Sequence, residues 1–256
     1  DSFSQLSSSP LSSVSGRAHS QGAPVQLRPL SQVTTEKQKR MLTKLNEWDR
    51  VMGGGIVPGA FMILTGDPGI GKSTLLLQVA NQLSDQHKVI YFSSEESLEQ
   101  VKLRSQRLGC MNEQLLFSDK ADLEQIIATA QETKPDVVII DSIQNCYSSG
   151  SGVIPGSIAQ LREAAFLLMR LAKENTISII VSGHITKSGN IAGPKTLEHM
   201  VDAVFYLQGE DRWQTRVLRA VKNRFGTINE IGLFSMESDG LREAGNIGQE
   251  FLEVAQ

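Results

Sequence analysis

The chain has 256 residues, 40% of them hydrophobic, and a formal net charge of −3. That length suits one substantial core, and the near-neutral charge excludes a global nucleic-acid signature, leaving any such contact to local clusters of Lys and Arg. No apolar run approaches the roughly 18 residues of a membrane-spanning helix, and the opening DSFSQLSSSP lacks the basic-then-apolar order of a secretory signal.

Residues 1 to about 40 are rich in Ser, Gln, Pro and Gly without periodicity, so a disordered linker is expected there. From about 41 to 256 a single domain is expected. Short apolar runs alternate with amphipathic stretches: FMILTG, STLLLQVANQL, VIYFSS, SLEQVKLRSQRL, LLFSD, DLEQIIATAQET, VVIIDS, IAQLREAAFLLMRLAKEN and ISIIVSG. This rhythm predicts an α/β fold, its mostly parallel sheet covered by helices on both faces. After residue 201 the runs AVFYLQG, TRVLRAVKN and INEIGLFSM follow without helices between them, which predicts an antiparallel C-terminal edge. Cys110 and Cys146 lie far apart without CxxC spacing, so neither zinc nor a disulfide framework is expected and the chain reads as a reducing, cytoplasmic protein.

Between the predicted strand FMILT and helix TLLLQVANQL lies GDPGIGKS, a match to G-x-x-x-x-G-K-[ST] in the required strand–loop–helix context. Its backbone N–H groups can cradle phosphate oxygens where the helix dipole favours negative charge. Gly66, Asp67, Pro68, Gly69, Ile70, Gly71, Lys72 and Ser73 are thus the candidate nucleotide-binding residues. Lys72 reaches the β- and γ-phosphates and Ser73 holds Mg²⁺.

Such a site also needs a carboxylate at the end of a neighbouring strand, and Asp141 in VVIIDS supplies it; the plain alternative is a turn or helix cap. Hydrolysis needs a group to polarise water near the γ-phosphate. Glu95 and Glu96 end the strand VIYFSS, and Glu95 is favoured, with Glu96 left to cap a helix dipole. His184, at the end of the strand in VSGHITK, is either structural or a contact to the γ-phosphate. In KNRFG, Lys222 and Arg224 stand two apart, on one face of the predicted strand; solvated cations are the plain alternative to an anion-binding pair.

GGGIVPGAFMILTGDPGIGKSTLLLQ, YFSSEES, IIDSIQ, SGHITKSGNIAGPKTLEHMVD and KNRFG together resemble the bacterial RadA/Sms family of RecA-like recombination and repair ATPases. The resemblance covers roughly residues 41 to 256, with KNRFG its most specific element. It implies a RecA-like P-loop fold, ATP as the nucleotide, Gly66 to Thr74 as the Walker A loop, so that Thr74 joins the nucleotide-binding residues, Asp141 as the Walker B carboxylate, Glu95 as catalytic glutamate and His184 as sensor. It further implies that Lys222 and Arg224 act in trans on a neighbour's nucleotide in a hexameric ring. The ring would hydrolyse ATP while moving on single-stranded DNA and promoting branch migration, with branched DNA and recombinase or other repair proteins as partners. Loops 147–157 and 186–196 occupy the positions of DNA-binding loops, with Lys187 and Lys195 as phosphate contacts. The family's four-cysteine zinc finger and Lon-protease-like domain find no match, so the chain reads as an ATPase core plus linker. A RecA-fold regulatory ATPase acting on protein partners and an ATP-assembled DNA-binding scaffold are the rival functions.

Overall fold

The structure, a computed structural model, describes residues 27, 29–32, 39–150, 157–184, 197–209 and 215–244. The chain divides into two units, Asp1–Lys37 and Gln38–Gln256. In the first, the described residues include one 3-10 turn, Leu30–Gln32; most of the segment expected to be disordered lies outside the described residues.

The second unit is built on a nine-stranded sheet. Its strands are β1 (Phe61–Gly66), β2 (Val89–Ser93), β3 (Leu115–Ser118), β4 (Val137–Asp141), β5 (Ser178–His184), β6 (Ala203–Gly209), β7 (Thr215–Asn223), β8 (Ile231–Glu237) and β9 (Gly240–Glu243). Their order is β3-β2-β4-β5-β1-β6-β7-β8-β9. The strands from β3 through β6 pair in parallel, and β7, β8 and β9 close the sheet antiparallel. The mixed sheet expected from the change of rhythm after residue 201 is therefore present.

Five helices accompany it among the described residues: α1 (Asn46–Val51), α2 (Lys72–Leu83), α3 (Leu98–Arg107), α4 (Leu123–Thr133) and α5 (Ile158–Asn175). Alternate side chains of one strand enter different cores, as the two-residue period of a strand requires. Met62, Leu64, Val137 and Ile139 join the α1, α2 and α3 residues Trp48, Leu76 and Val101. Phe61, Ile63, Val138 and Ile140 join Ile126 of α4 and Leu168 of α5. Both faces are thus covered, which is why β1 and β4 read as unbroken apolar runs.

Helix starts follow the local sequence. Ser97 and Gln100 exchange side-chain and backbone hydrogen bonds as a capping box before α3. Asp122 accepts from Gln125 N at 3.1 Å before α4, and Ser157 from Gln160 N at 3.2 Å before α5.

Parallel pairing fixes where the ends fall. Gly66 stands opposite His184 on β5 and Leu207 on β6. At the other end Met62 pairs with Ala203, which pairs with Asn223. The phosphate loop and KNRFG therefore lie at opposite edges of the sheet.

Strand β7 ends at Asn223, so Arg224 lies in the bend beyond it and the expected pair on a single strand face is not formed as such. The bend is fastened to the turn after α1. Asn223 Nδ2 donates to the carbonyls of Val51 and Met52 at 3.3 and 3.4 Å, and Arg40 Nη2 to that of Phe225 at 2.8 Å. Phe225 packs on the α1–α3 core. Backbone touches backbone here, since a Cβ added at Gly226 would sit 2.9 Å from the Cα of Gly53. Gly226→Ala should therefore destabilise the protein by about 1–3 kcal/mol, read as a lower urea midpoint at unchanged slope; an unchanged midpoint would contradict the packing.

Candidate nucleotide site and the KNRFG bend

Gly66 ends β1 with so little room that a Cβ there would stand 2.2 Å from the carbonyl oxygen of Leu207 on β6. Gly71 caps α2 at φ 114°, a left-handed conformation that only glycine adopts without strain. The chain can then turn within residues 67–71 and enter the helix at Lys72.

Lys72 is almost wholly buried, at 4% exposure. Its Nζ donates to the carbonyls of Gly66 and Asp67, both at 2.9 Å, and lies 3.1 Å from His184 Nδ1. Burial pushes its pKa down, partly offset by the negative Asp141, Glu95 and Asp67. An ammonium has protons but no lone pair to offer, so His184 Nδ1 accepts and its ring proton sits on Nε2. That nitrogen faces Glu95 Oε1 at 2.9 Å. Ser142 Oγ donates to the same carboxylate oxygen. Burial raises the Glu95 pKa, yet the hydrogen bonds from Ser142 and His184 and the charge of Lys72 outweigh it, leaving the carboxyl below its ordinary range. Lys72, His184, Glu95 and Ser142 form one continuous polar chain.

Asp141, 4% exposed, accepts from Tyr91 Oη at 2.8 Å and from Ser182 Oγ. Burial, followed by the neighbouring Asp141, lifts the Tyr91 pKa well above its usual value, so Tyr91 stays a donor. The peptide between Asp141 and Ser142 is cis.

Two placements differ from the sequence expectation. Strand β4 is not next to β1, because β5 lies between them, so Asp141 approaches Lys72 from the next strand but one. Glu95 and Glu96 do not end β2, which stops at Ser93. The bend that follows sends them apart. Glu96 accepts from Arg104 of α3, away from Lys72, and burial raises its pKa despite that cation. Glu95 alone joins the polar chain.

Ser142, Ser182, Tyr91 and Gln144 are site residues that the sequence reading did not single out. Serine and tyrosine next to a carboxylate-bearing strand end look ordinary in one dimension, and only the alternation of β5, with Ser182 two before His184, hinted at Ser182. Gln144 donates to the His184 carbonyl at 3.4 Å, and its buried Oε1 has no partner among the described residues.

Lys222 Nζ donates to the carbonyls of Glu198 and Val201 at 2.6 and 2.8 Å. Arg224 Nη1 reaches Asp202 Oδ1 at 3.3 Å with its side chain 60% exposed. Both cations thus have partners in their own chain, and neither is near Lys72. Lys187, Lys195 and most of the two expected DNA loops lie outside the described residues. Cys110 and Cys146 are buried free thiols, their pKa values pushed up by burial to about 11 and about 12.

The donor set fits a nucleoside triphosphate with Mg²⁺. Lys72 spends its protons on two loop carbonyls and an imidazole, partners that a phosphate can displace. Among the described residues the Asp141 carboxylate accepts from hydroxyls and pairs with no cation, a donor set suited to a hydrated cation, while Ser73 stands half-buried at the helix start.

A phosphate loop on this strand order defines a P-loop NTPase of the RecA-like class. Solved structures of that fold superpose well: a DnaB-like replicative helicase at TM-score 0.69 and 16% identity, over 80% of this chain and 62% of that one. The RadB recombinase matches at TM-score 0.61 and 22% identity, over 80% and 99%.

Residues 26–190 match the family model described as AAA domain, and the chain belongs to that family. It is 49% identical over 227 residues to "DNA repair protein RadA" of Halalkalibacterium halodurans, and 49% identical over 224 residues to the protein of that name in Streptococcus pneumoniae. Each alignment covers 88% of this chain but only 50% and 53% of the relative, so the chain spans about half of their length. The resemblance read from the motifs is borne out. Among the described residues no helix is long and apolar enough to cross a membrane.

Because Glu95 and Glu96 point to different partners, Glu95→Gln should lower turnover about a hundredfold or more, whereas Glu96→Gln should change it less than about threefold. Equal losses in steady-state assays of the two variants would contradict the separation.

Proposed function

We propose that this chain is the ATP-hydrolysing core of a DNA recombination and repair motor, which translocates on single-stranded DNA and promotes branch migration as a hexameric ring. The observation that carries the reading is the polar chain from Lys72 through His184 to Glu95, beside the buried Asp141. In this reading Lys72 is the phosphate ligand, His184 the group that senses its departure and Glu95 the water-polarising carboxylate, side by side at the sheet edge where open α/β sheets bind ligands.

ATP supplies the transferred phosphoryl group and Mg²⁺ neutralises its charge when both are bound. The loop from Gly66 to Thr74 holds the phosphates by its backbone N–H groups. Ser73 and, through water, Asp141 hold the cation. Lys72 leaves the carbonyls of Gly66 and Asp67 for the β- and γ-phosphates, and this frees His184 Nδ1. Glu95, kept ionised by Ser142 and His184, orients the attacking water. His184 couples the occupied site to the segment that follows it, where Lys187 and Lys195 contact DNA phosphates.

Lys222 and Arg224 lie too far from their own phosphate loop to serve it. They act on the nucleotide of the next subunit across a heterologous ring interface, where a trans arginine is worth about 10³ to 10⁵ in rate. The 49% identity to DNA repair proteins supports this reading. It also favours cytoplasmic work beside DNA and repair partners.

Lys72→Ala should lower turnover at least about a hundredfold, and single-stranded DNA should stimulate the unsubstituted chain. ATPase assays on one preparation, with and without single-stranded DNA, check both. Turnover indifferent to DNA would favour a regulatory ATPase acting on proteins, and DNA binding with negligible turnover an ATP-assembled scaffold.

A further inference from the structure

Asp202 stands at the sheet edge opposite the phosphate loop, with its side chain only 6% exposed. Its two oxygens are unequally served. Oδ2 accepts from Phe61 N at 2.9 Å and from Lys173 Nζ at 2.5 Å. Oδ1 accepts from Arg224 Nη1 at 3.3 Å. Its backbone carbonyl accepts from Arg224 N at 3.1 Å, so the same residue fixes both the backbone and the guanidinium of Arg224. Lys222 grips the carbonyl of Val201, one residue earlier, and that of Glu198.

The charges do not balance. Among the described residues two cations, Lys173 and Arg224, pair with the Asp202 carboxylate, and a third, Lys222, is held by backbone carbonyls beside it. Lys173 already neutralises Asp202 at the shorter distance. Lys222 has no ion pair with a described carboxylate, since its partners are carbonyls. Among the described residues the Arg224 guanidinium, a five-donor fork, is held by one nitrogen, and its side chain is 60% exposed.

We propose that Asp202 is the positioning residue for Arg224, and that Lys173 completes the device by cancelling the Asp202 charge. This rests on the reading of Arg224 as a cation for a neighbour's nucleotide. Asp202 orients the guanidinium before the phosphate arrives, so less rotamer entropy is lost on contact. Lys173 leaves the oriented guanidinium with its positive charge unspent. Without Lys173, the buried carboxylate would take Arg224 as its only counter-ion.

The test uses Asp202→Asn, which keeps an acceptor for Phe61 N but removes the charge that holds Arg224. Turnover should fall about ten- to hundredfold, with KM for ATP within about twofold, because the chain's own phosphate loop is untouched. Asp202→Asn chains are then mixed with Lys72→Ala chains, subunit exchange being verified by energy transfer between labelled chains. Part of the activity should return, since an intact phosphate loop on the Asp202→Asn chain meets an intact Arg224 on the other. Arg224→Ala mixed with Lys72→Ala is run in parallel.

Recovery in the Arg224→Ala mixture but not in the Asp202→Asn mixture overturns the positioning role and leaves the trans reading standing. Recovery in neither, or a chain that stays monomeric with ATP, overturns the trans reading and the inference with it. Should Asp202→Asn fail to fold, Lys173→Gln answers the same question, because its side chain is half exposed. It should show the same fall in turnover at unchanged KM and the same recovery on mixing; wild-type turnover in Lys173→Gln would overturn the proposal.

Discussion

A buried ammonium must have polar groups turned towards it, and Lys72 is nearly buried at the very start of a helix. The helix cannot answer it, since the dipole there is positive. The answer comes from loop carbonyls, the His184 imidazole and the negative charge of Asp141 and Glu95. Asp141, His184 and Glu95 lie on or just beyond three strands, β4, β5 and β2, whose carboxyl ends meet the end of β1 because all three run parallel to it. The same arrangement that makes Lys72 tolerable without phosphate makes it responsive to phosphate. Its hydrogen-bond partners are neutral and displaceable, while Asp141 and Glu95 act on it through their charge.

Much of this was legible in one dimension. The phosphate loop is a local motif whose flanks are also local, so spacing and periodicity sufficed to place it between a strand and a helix. The central strands read as apolar runs because both faces are covered. The strand neighbours were not legible. That β5 separates β4 from β1 is a property of crossover connections, which no periodicity records. Glu95 and Glu96 are identical in type and adjacent, and they are drawn apart by Arg104 on α3 on one side and by Ser142 beyond β4 and His184 on β5 on the other. Asp202 gave no signal either, for its partners come from α5, β1 and the bend after β7.

The two candidate sites lie at opposite ends of the strands. Lys72, His184 and Glu95 gather where the parallel strands end, whereas Arg224 sits where they begin, because antiparallel β7 carries the chain back across the sheet. In the proposed ring the beginning of one sheet would meet the end of the next, a head-to-tail contact of the kind that closes rings. The Gly53–Gly226 contact and the Arg40 hydrogen bond fasten the bend that carries Arg224 to its own chain.

The central claim is that Lys72 rests on His184 and leaves it for phosphate. Nitrogen NMR of the His184 ring, with and without Mg²⁺ and a non-hydrolysable ATP analogue, tests this most directly. The account predicts that Nδ1 resonates as an acceptor from Lys72 in the free chain and shifts when nucleotide binds, while Nε2 keeps its proton towards Glu95. A His184 ring whose two nitrogens are unchanged by saturating nucleotide would contradict it.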